Sequence, residues 1–309
     1  MALVALVLLA AGALGGCGGG GVTQSTQSAQ ALVQEAFESR QPIDSGRMKL
    51  SAALSGTGSG DHGKRRLTLF SALVQGAFQS LGPTRLPSFA LLIDVSGAAH
   101  AQGLGGRSGT VGFGATASGG QLFLELDGSW FVAPAGAMRA LERGYRQTAG
   151  GGAAGSPTPP AVFGIDPGRW LTSPALAGTA RIAGERTLHL TAGLDAQRFL
   201  ADAQALLANG GALALGSAGG SAWLTPARLA TLSRSLRSAR VEVFVGATDH
   251  RLRRLSVSAS LRTDARTRSA LDGLHTARLT FVLEFADLDR PQTIAAPHDP
   301  QPLAALDAR

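Results

Sequence analysis

Gln121-Leu122-Phe123-Leu124-Glu125-Leu126-Asp127-Gly128-Ser129-Trp130-Phe131-Val132 decides the fold class. Leu122, Leu124 and Leu126 alternate with Gln121, Phe123 and Glu125. Successive strand side chains point to opposite faces, so this period buries one face and wets the other. Asp127-Gly128 has the chemistry of a two-residue hairpin turn, whose positive φ angles suit the twist of an antiparallel pair. The stretch predicts a β-hairpin with one apolar face.

The same period recurs on both sides of it. Met48, Leu50, Ala52 and Leu54 alternate with Lys49, Ser51, Ala53 and Ser55, and Leu67 and Leu69 resume the pattern after a Gly/Asp turn. Phe89, Leu91, Ile93 and Val95 alternate with Ala90, Leu92, Asp94 and Ser96, and Val111, Phe113 and Ala115 form another strand. Gly178 to Leu190 reads as a strand pair turning at Gly184. Three last strands carry Val241/Val243/Val245, Leu255/Val257/Ala259/Leu261 and Leu279/Phe281/Leu283/Phe285, the first two joined by the polar turn Thr248-Asp249-His250-Arg251.

Helical periodicity is confined to four places. The first is Ala29 to Arg40, with Leu32, Val33, Ala36 and Phe37 on one face and Pro42 ending it. The second is Pro134 to Gln147, with Ala137, Met138, Leu141 and Tyr145 in phase. Asp195 caps the third, which carries Phe199, Leu200, Ala203, Leu206 and Leu207 and is expected to stop at Gly210-Gly211. Thr225-Pro226 opens the fourth, with Leu229, Leu232 and Leu236 inward. The class is α+β, built on an antiparallel sheet. The Gly/Pro-rich stretch 149–160 and a second Gly-rich stretch reaching Ser221 read as loops within one domain, 29–309, because the same patterns resume after them. Pro291 to Arg309 is Pro-rich and expected to be extended.

Hydrophobic residues make up 44% of the chain and aromatics 5%, so the core rests on Leu, Val and Ala. Lys49 and Lys64 are the only lysines, leaving 26 of the 28 cations as arginine, and the net charge is +7. The arginines are dispersed and aromatics few, which argues against nucleic acid and suits an anionic membrane surface. Cys17 is the sole cysteine, so there is no internal disulfide and no thiolate zinc site.

Catalytic signatures are missing. Gly58-Ser59-Gly60-Asp61-His62-Gly63 has the G-x-G-x-x-G spacing, but strand pattern follows it where a dinucleotide site needs a helix, so it reads as a turn. No G-x-S-x-G elbow occurs, and the six histidines show no metal-ligand spacing. Asp61-His62 and Asp249-His250 read as turn chemistry. The reading assigns no catalytic residue, metal or cofactor, and expects a non-enzyme. Lys64-Arg65-Arg66 and Arg251, Arg253 and Arg254 flank hairpins; such clusters either discourage edge pairing or meet lipid phosphates. Gly164-Ile165-Asp166-Pro167-Gly168-Arg169-Trp170-Leu171 is the most distinctive internal segment, with Pro167 setting a turn and Trp170 plugging an apolar gap.

The apolar run Ala2 to Leu14 precedes Leu14-Gly15-Gly16-Cys17, and a Gly/Ser/Thr/Gln-rich stretch follows. The run is shorter than the roughly 20 residues a spanning helix needs, and fits the apolar part of an export signal. It resembles the signal and lipobox of bacterial lipoproteins. That resemblance implies a signal peptide 1–16, a lipid such as palmitate on Cys17, a flexible tether 17–28, and an extracytoplasmic domain anchored to the cell membrane. The alternative is a simple secretory signal with Cys17 incidental. No Lys or Arg precedes Cys17.

With Asp166-Pro167-x-x-Trp170-Leu171, the hairpin Asp249-His250-Arg251-Leu252-Arg253-Arg254-Leu255, and Ile294-Ala295-Ala296-Pro297, the order of elements resembles actinobacterial lipoproteins of the LppX/LprG type, within the superfamily of LolA- and LolB-like carriers. That resemblance implies a strongly curved antiparallel sheet, an incomplete β-barrel, with helices on its concave face. It implies acyl chains of a lipid or glycolipid held between sheet and helices, carriage across the envelope, a possible membrane exporter as partner, and a monomer. Phe89, Leu91, Ile93, Val95, Leu122, Leu124 and Leu126 are then the candidate cavity wall, with Met138 and Leu141 as a helical lid. By their alternation alone these residues serve equally as an ordinary core. The competing readings are an envelope lipoprotein presenting a protein-binding surface and, last, an extracytoplasmic hydrolase.

Overall fold

A computed structural model of the chain describes residues 28–38, 43–60, 63–82, 85–97, 109–150, 165–213, 226–270 and 274–306. The lipobox, Cys17 and residues 151–160 of the expected loop 149–160 lie outside the described residues, while Ala149 and Gly150 end a helix. The hairpin quoted above forms as β5 (Gln121–Leu126) and β6 (Ser129–Val132), with Asp127 and Gly128 at φ 50° and 75°. Ahead of it run α1 (Ala29–Glu38), β1 (Ser45–Gly60), β2 (Gly63–Gln79), β3 (Ser88–Gly97) and β4 (Gly109–Ser118). After it come α2 (Ala135–Gly150), a 3₁₀ turn at Pro167–Trp170, β7 (Leu171–Ile182), β8 (Glu185–Leu194) and α3 (Ala196–Leu213). The chain continues through α4 (Pro226–Ser235), β9 (Leu236–Gly246), β10 (Leu252–Arg262), α5 (Ala265–Ala270), β11 (Leu274–Ala286) and β12 (Gln301–Pro302).

The strands form one sheet in the order β12-β6-β5-β4-β3-β2-β1-β11-β10-β9-β8-β7. Every pairing is antiparallel except the two-residue β12 against β6. β7 and β12 stand at opposite edges, so the sheet is not closed and makes an incomplete barrel. β1 to β6 form one meander and β7 to β11 another, and the pairing of β1 with β11 joins them.

Register across that joint is what makes a common core. One row of paired residues runs Phe113, Ile93, Val74, Leu50, Leu283, Leu255, Val243, Leu190 and Leu176, through nine strands. Flanking rows repeat the pattern, with Leu124, Ala115, Leu91, Gly76, Met48 and Phe285 in one of them. Leu50, Leu190, Val243, Leu255 and Leu283 are wholly buried. The opposite face carries Lys49, Ser51, Ser55, Thr57, Ser256, Ser258, Ser260 and Arg278, as period-two alternation requires. Leu32, Val33 and Ala36 of α1, Tyr145 of α2 and Phe199 of α3 belong to the same buried cluster as the apolar rows. A smaller cluster, Leu54, Leu232, Leu261, Leu274 and Ala277, sits beside α4, and Leu200 and Leu279 pack against both clusters.

Four departures from the sequence reading have local causes. β2 runs on to Gln79 through Ala72, Gly76 and Ala77, which carry little apolar signal but are paired on both sides, with β1 and with β3. Gly76 is required there, because a Cβ would come 1.9 Å from the carbonyl oxygen of Ala90. α3 continues through Gly210-Gly211 to Leu213, since glycine costs a helix only about 1 kcal/mol and does not forbid it. Leu236 opens β9 opposite Leu261 and is not part of the helical face of α4. The short α5 was not expected, although Asp264 caps it by accepting from the Thr267 amide at 2.7 Å.

The extended C-terminal stretch straps the polar face. Ser118 Oγ donates to the Ile294 carbonyl at 3.0 Å, and the Gln292 amide donates to Gln79 Oε1 at 2.9 Å. Pairing of β12 with β6 then ends the strap at the sheet edge.

Replacing Leu50 by Ala should cost about 2–5 kcal/mol in denaturant unfolding, whereas its neighbour Ser51→Ala should stay within about 0.5 kcal/mol. Equal losses would contradict a core confined to one face.

Candidate functional site

The layer between the apolar rows and the helices is where the predicted wall residues meet. Phe89, Leu91, Ile93, Leu122 and Leu124 are buried, and Val95, Leu126, Met138 and Leu141 are half-buried against them, all in the main cluster. The pairings Phe89↔Ala117↔Leu122 and Leu91↔Ala115↔Leu124 explain the convergence: alanines on β4 leave room between the larger side chains of β3 and β5. Val111 is paired with Val95 in the same phase.

Among the described side chains of the cover, those of α2 that face the cluster are mostly half-buried. Met138 and Leu141 face the cluster, yet Met138 also lines a groove of about 120 Å³ beside the ends of β3 and β4. Leu81, Leu86, Pro87 and Ala117 supply its apolar wall, and Arg85, Glu142 and Arg146 its charged rim. Burial pushes the Tyr145 hydroxyl up to about 12, so this α2 side chain stays neutral within the cluster. Arg85 and Arg146 carry no motif and come together only through the fold, so sequence reasoning missed this rim.

At the other end of the layer the segment 165–171 behaves as a plug. Trp170 is 1% exposed and stacks edge-on with Phe199 at 4.9 Å and Phe281 at 5.2 Å, which clamps α3 to β11. Its indole Nε1 donates to Asp202 Oδ2 at 2.9 Å, and the Asp166 amide donates to the same oxygen at 2.8 Å. A Cβ on Gly168 would stand 2.9 Å from Phe37 Cβ, so glycine admits α1 there. Burial raises the Asp166 carboxyl, Arg169 opposes this, and the Asp202 charge adds to it.

The cluster Arg251, Arg253 and Arg254 is neither a loose solvated strand end nor a free lipid-phosphate contact. Arg253 Nε meets Glu185 at 2.6 Å and its Nη2 meets Asp249 at 2.7 Å. Arg254 pairs with Glu284 at 3.1 Å, and Arg251 pairs with Asp289. These contacts tie the β9–β10 turn to β8, β11 and the C-terminal strap. The side chains of Lys64, Arg65 and Arg66 lie outside the described residues. Burial pushes the Asp249 carboxyl up, but hydrogen bonds from the Arg253 side chain and the Arg251 amide, with both guanidinium charges, hold it below the usual carboxylate range.

No family model matches the chain, and comparison with curated proteins returns no match. Comparison with solved structures returns matches at low identity. The chain is similar to LprF from Mycobacterium bovis at 10% identity, over 87% of this chain and 96% of that one, with a TM-score of 0.43. It is similar to the lipoprotein LppX of Mycobacterium tuberculosis at 12% identity, over 86% and 98%, with a TM-score of 0.37. A putative outer membrane lipoprotein-sorting protein domain from Vibrio parahaemolyticus matches at 8% identity, over 87% and 94%, with a TM-score of 0.23. No described helix is long and apolar enough to cross a membrane.

A carboxyl held below its unfolded value stabilises the fold above the ordinary carboxylate range, and that share is lost as pH falls through the lowered value. Stability of the wild-type chain should therefore drop from about pH 5 to about pH 3, and Asp249→Asn should flatten part of that slope. Arg253→Met should cost about 1–3 kcal/mol at neutral pH.

Proposed function

We propose that this chain is a membrane-anchored envelope lipoprotein that binds the acyl chains of a lipid or glycolipid between its sheet and its helices, and carries them across the envelope. The observation carrying this reading is the buried apolar row from Phe113 to Leu190, through eight strands, beneath helices of which α2 presents Met138 and Leu141 only half-buried. An acyl chain in water costs about 0.8 kcal/mol per exposed CH₂, so a carrier needs a long apolar lining and no catalytic group. The apolar rows here are long, and in this reading Met138 and Leu141 are the side chains that part to admit a chain. The groove beside Met138 supports entry on that side, where Arg85 and Arg146 would receive an anionic headgroup.

Anchoring follows from the lipobox: a lipid on Cys17 and the tether 17–28 would hold the domain within reach of the membrane it loads from. A single acyl chain binds only marginally, and two or three bind stably.

The full chain, expressed in a bacterium that lipidates exported proteins and isolated from its membranes, should release a stoichiometric non-covalent lipid on solvent extraction followed by mass spectrometry. Ile93→Trp and Leu124→Trp should abolish that lipid, while Leu92→Trp, on the opposite face, should keep it. A chain that carries no extractable lipid and takes up none when it is offered would overturn the carrier reading. Separately, Cys17→Ala should lose the covalent acyl mass on the protein; an unchanged intact mass would refute the anchor.

A further inference from the structure

The polar face of the sheet holds a feature that the acyl-chain reading does not use. An open groove of about 860 Å³ lies at one end of the central strands, lined by Ser55, Gly56 and Thr57 of β1, Arg237 of β9, Ser260, Leu261 and Arg262 of β10, and Thr276, Ala277 and Arg278 of β11. Register shows how it is built. Thr57, Thr276 and Arg262 form one cross-strand row, and Ser55, Arg278, Ser260 and Ser238 the next. Arg262 and Arg278 are thus diagonal neighbours on one face, about 7–8 Å apart at the backbone and within mutual reach of long side chains. A break in register between Ser260 and Leu261 brings Arg237 to the same place. The row continues on β2, where Arg66 holds the position opposite Thr57.

Charge marks this groove. No carboxylate lines it. Arg237, Arg262 and Arg278 are all exposed and form no ion pair among the described residues. By contrast Arg240, Arg251, Arg253 and Arg254 each meet a carboxylate. Between the arginines lie the hydroxyls of Ser55, Thr57, Ser260 and Thr276, of which Thr57 and Thr276 are 2.8 Å apart. Three gathered guanidinium groups repel one another unless an anion is supplied. Guanidinium forks and neutral hydroxyl donors together match the oxygens of a phosphate ester.

We propose that the Arg237/Arg262/Arg278 groove binds a phosphate ester, on the face opposite the acyl-chain layer. The shared chemistry is a phosphoryl group bearing a polyol. It is carried either by an anionic phospholipid headgroup at the membrane or by a free sugar or glycerol phosphate. The groove stands independently of the carrier reading. Its test reads phosphate binding, whereas the carrier test reads extracted acyl chains, so the two can fail separately.

The experiment uses the full chain in three forms. One is wild type. The second is the groove variant Arg237→Gln/Arg262→Gln/Arg278→Gln. The third is a charge control, Arg47→Gln/Arg139→Gln/Arg186→Gln, which removes three exposed arginines elsewhere. Glycerol 3-phosphate binding is measured by titration calorimetry, with phosphatidylglycerol and phosphatidylcholine vesicles as competitors. Wild type should bind, the groove variant should lose roughly tenfold or more in affinity, and the control should lose less than about threefold. Displacement by phosphatidylglycerol vesicles alone identifies a membrane headgroup as the source. Displacement by neither vesicle identifies a soluble phosphate ester. Equal losses in both variants, displacement by both vesicles, or no binding of glycerol 3-phosphate to wild type would each overturn the proposal. Thermal unfolding of the three forms confirms that a loss of binding is not a loss of fold.

Discussion

The pairing of β1 with β11 is the contact on which the rest of the molecule depends. Each half of the chain can fold locally as a meander of hairpins, but neither meander covers its own apolar face. Opposing Leu50 to Leu283, Met48 to Phe285 and Ala52 to Phe281 places the apolar phases of both halves on one side. A slip of one residue at this joint would turn all of one half's apolar side chains to water. The pairing also brings together residues more than two hundred positions apart, so it closes a long loop and is slow to form compared with the hairpins it joins. Buried area from both meanders and from three helices rewards it only once it is made.

From that joint the two faces acquire opposite characters. The apolar face needs a cover, and α1, α2, α3 and the Trp170 plug provide it. The plug is the firmest part, clamped by two edge-on aromatic contacts and by Asp202 beneath the indole. Cover by α2 is looser, with Met138 and Leu141 half-buried. A rigid end and a looser end suit the opening that the proposed acyl-chain binding requires. The opposite face is mostly polar and less covered, although Phe123, Thr116 and Thr187 are buried on it, and the C-terminal strap is tied to it at Ser118 and Gln79.

Arginine placement follows the same division. Near the β9–β10 turn the arginines are tied into ion pairs, where their work is to hold turn, neighbouring strands and strap together. At the other end of the same strands they stand unpaired around the groove.

The antiparallel α+β class, the hairpin at Asp127-Gly128, the helix phases of α1 and α2, the cap at Asp195 and the burial of Trp170 were all legible in the sequence. Each is decided by residues within a turn or two of one another, through side-chain period, turn chemistry or capping. That the nine wall and lid residues would come together in one cluster was legible, because each sits in the apolar phase of its own strand or helix. What the sequence could not show was partnership between distant segments: that β11 lies beside β1, that Arg253 is shared by Asp249 and Glu185, and that Arg237, Arg262 and Arg278 meet in one groove. The smooth continuation of β2 through Gly76 was likewise hidden, because its pairing partners, not its own side chains, hold it extended. Period and turn chemistry act along the chain and are printed in it, whereas register and charge juxtaposition act across the sheet and exist only once the two meanders have joined.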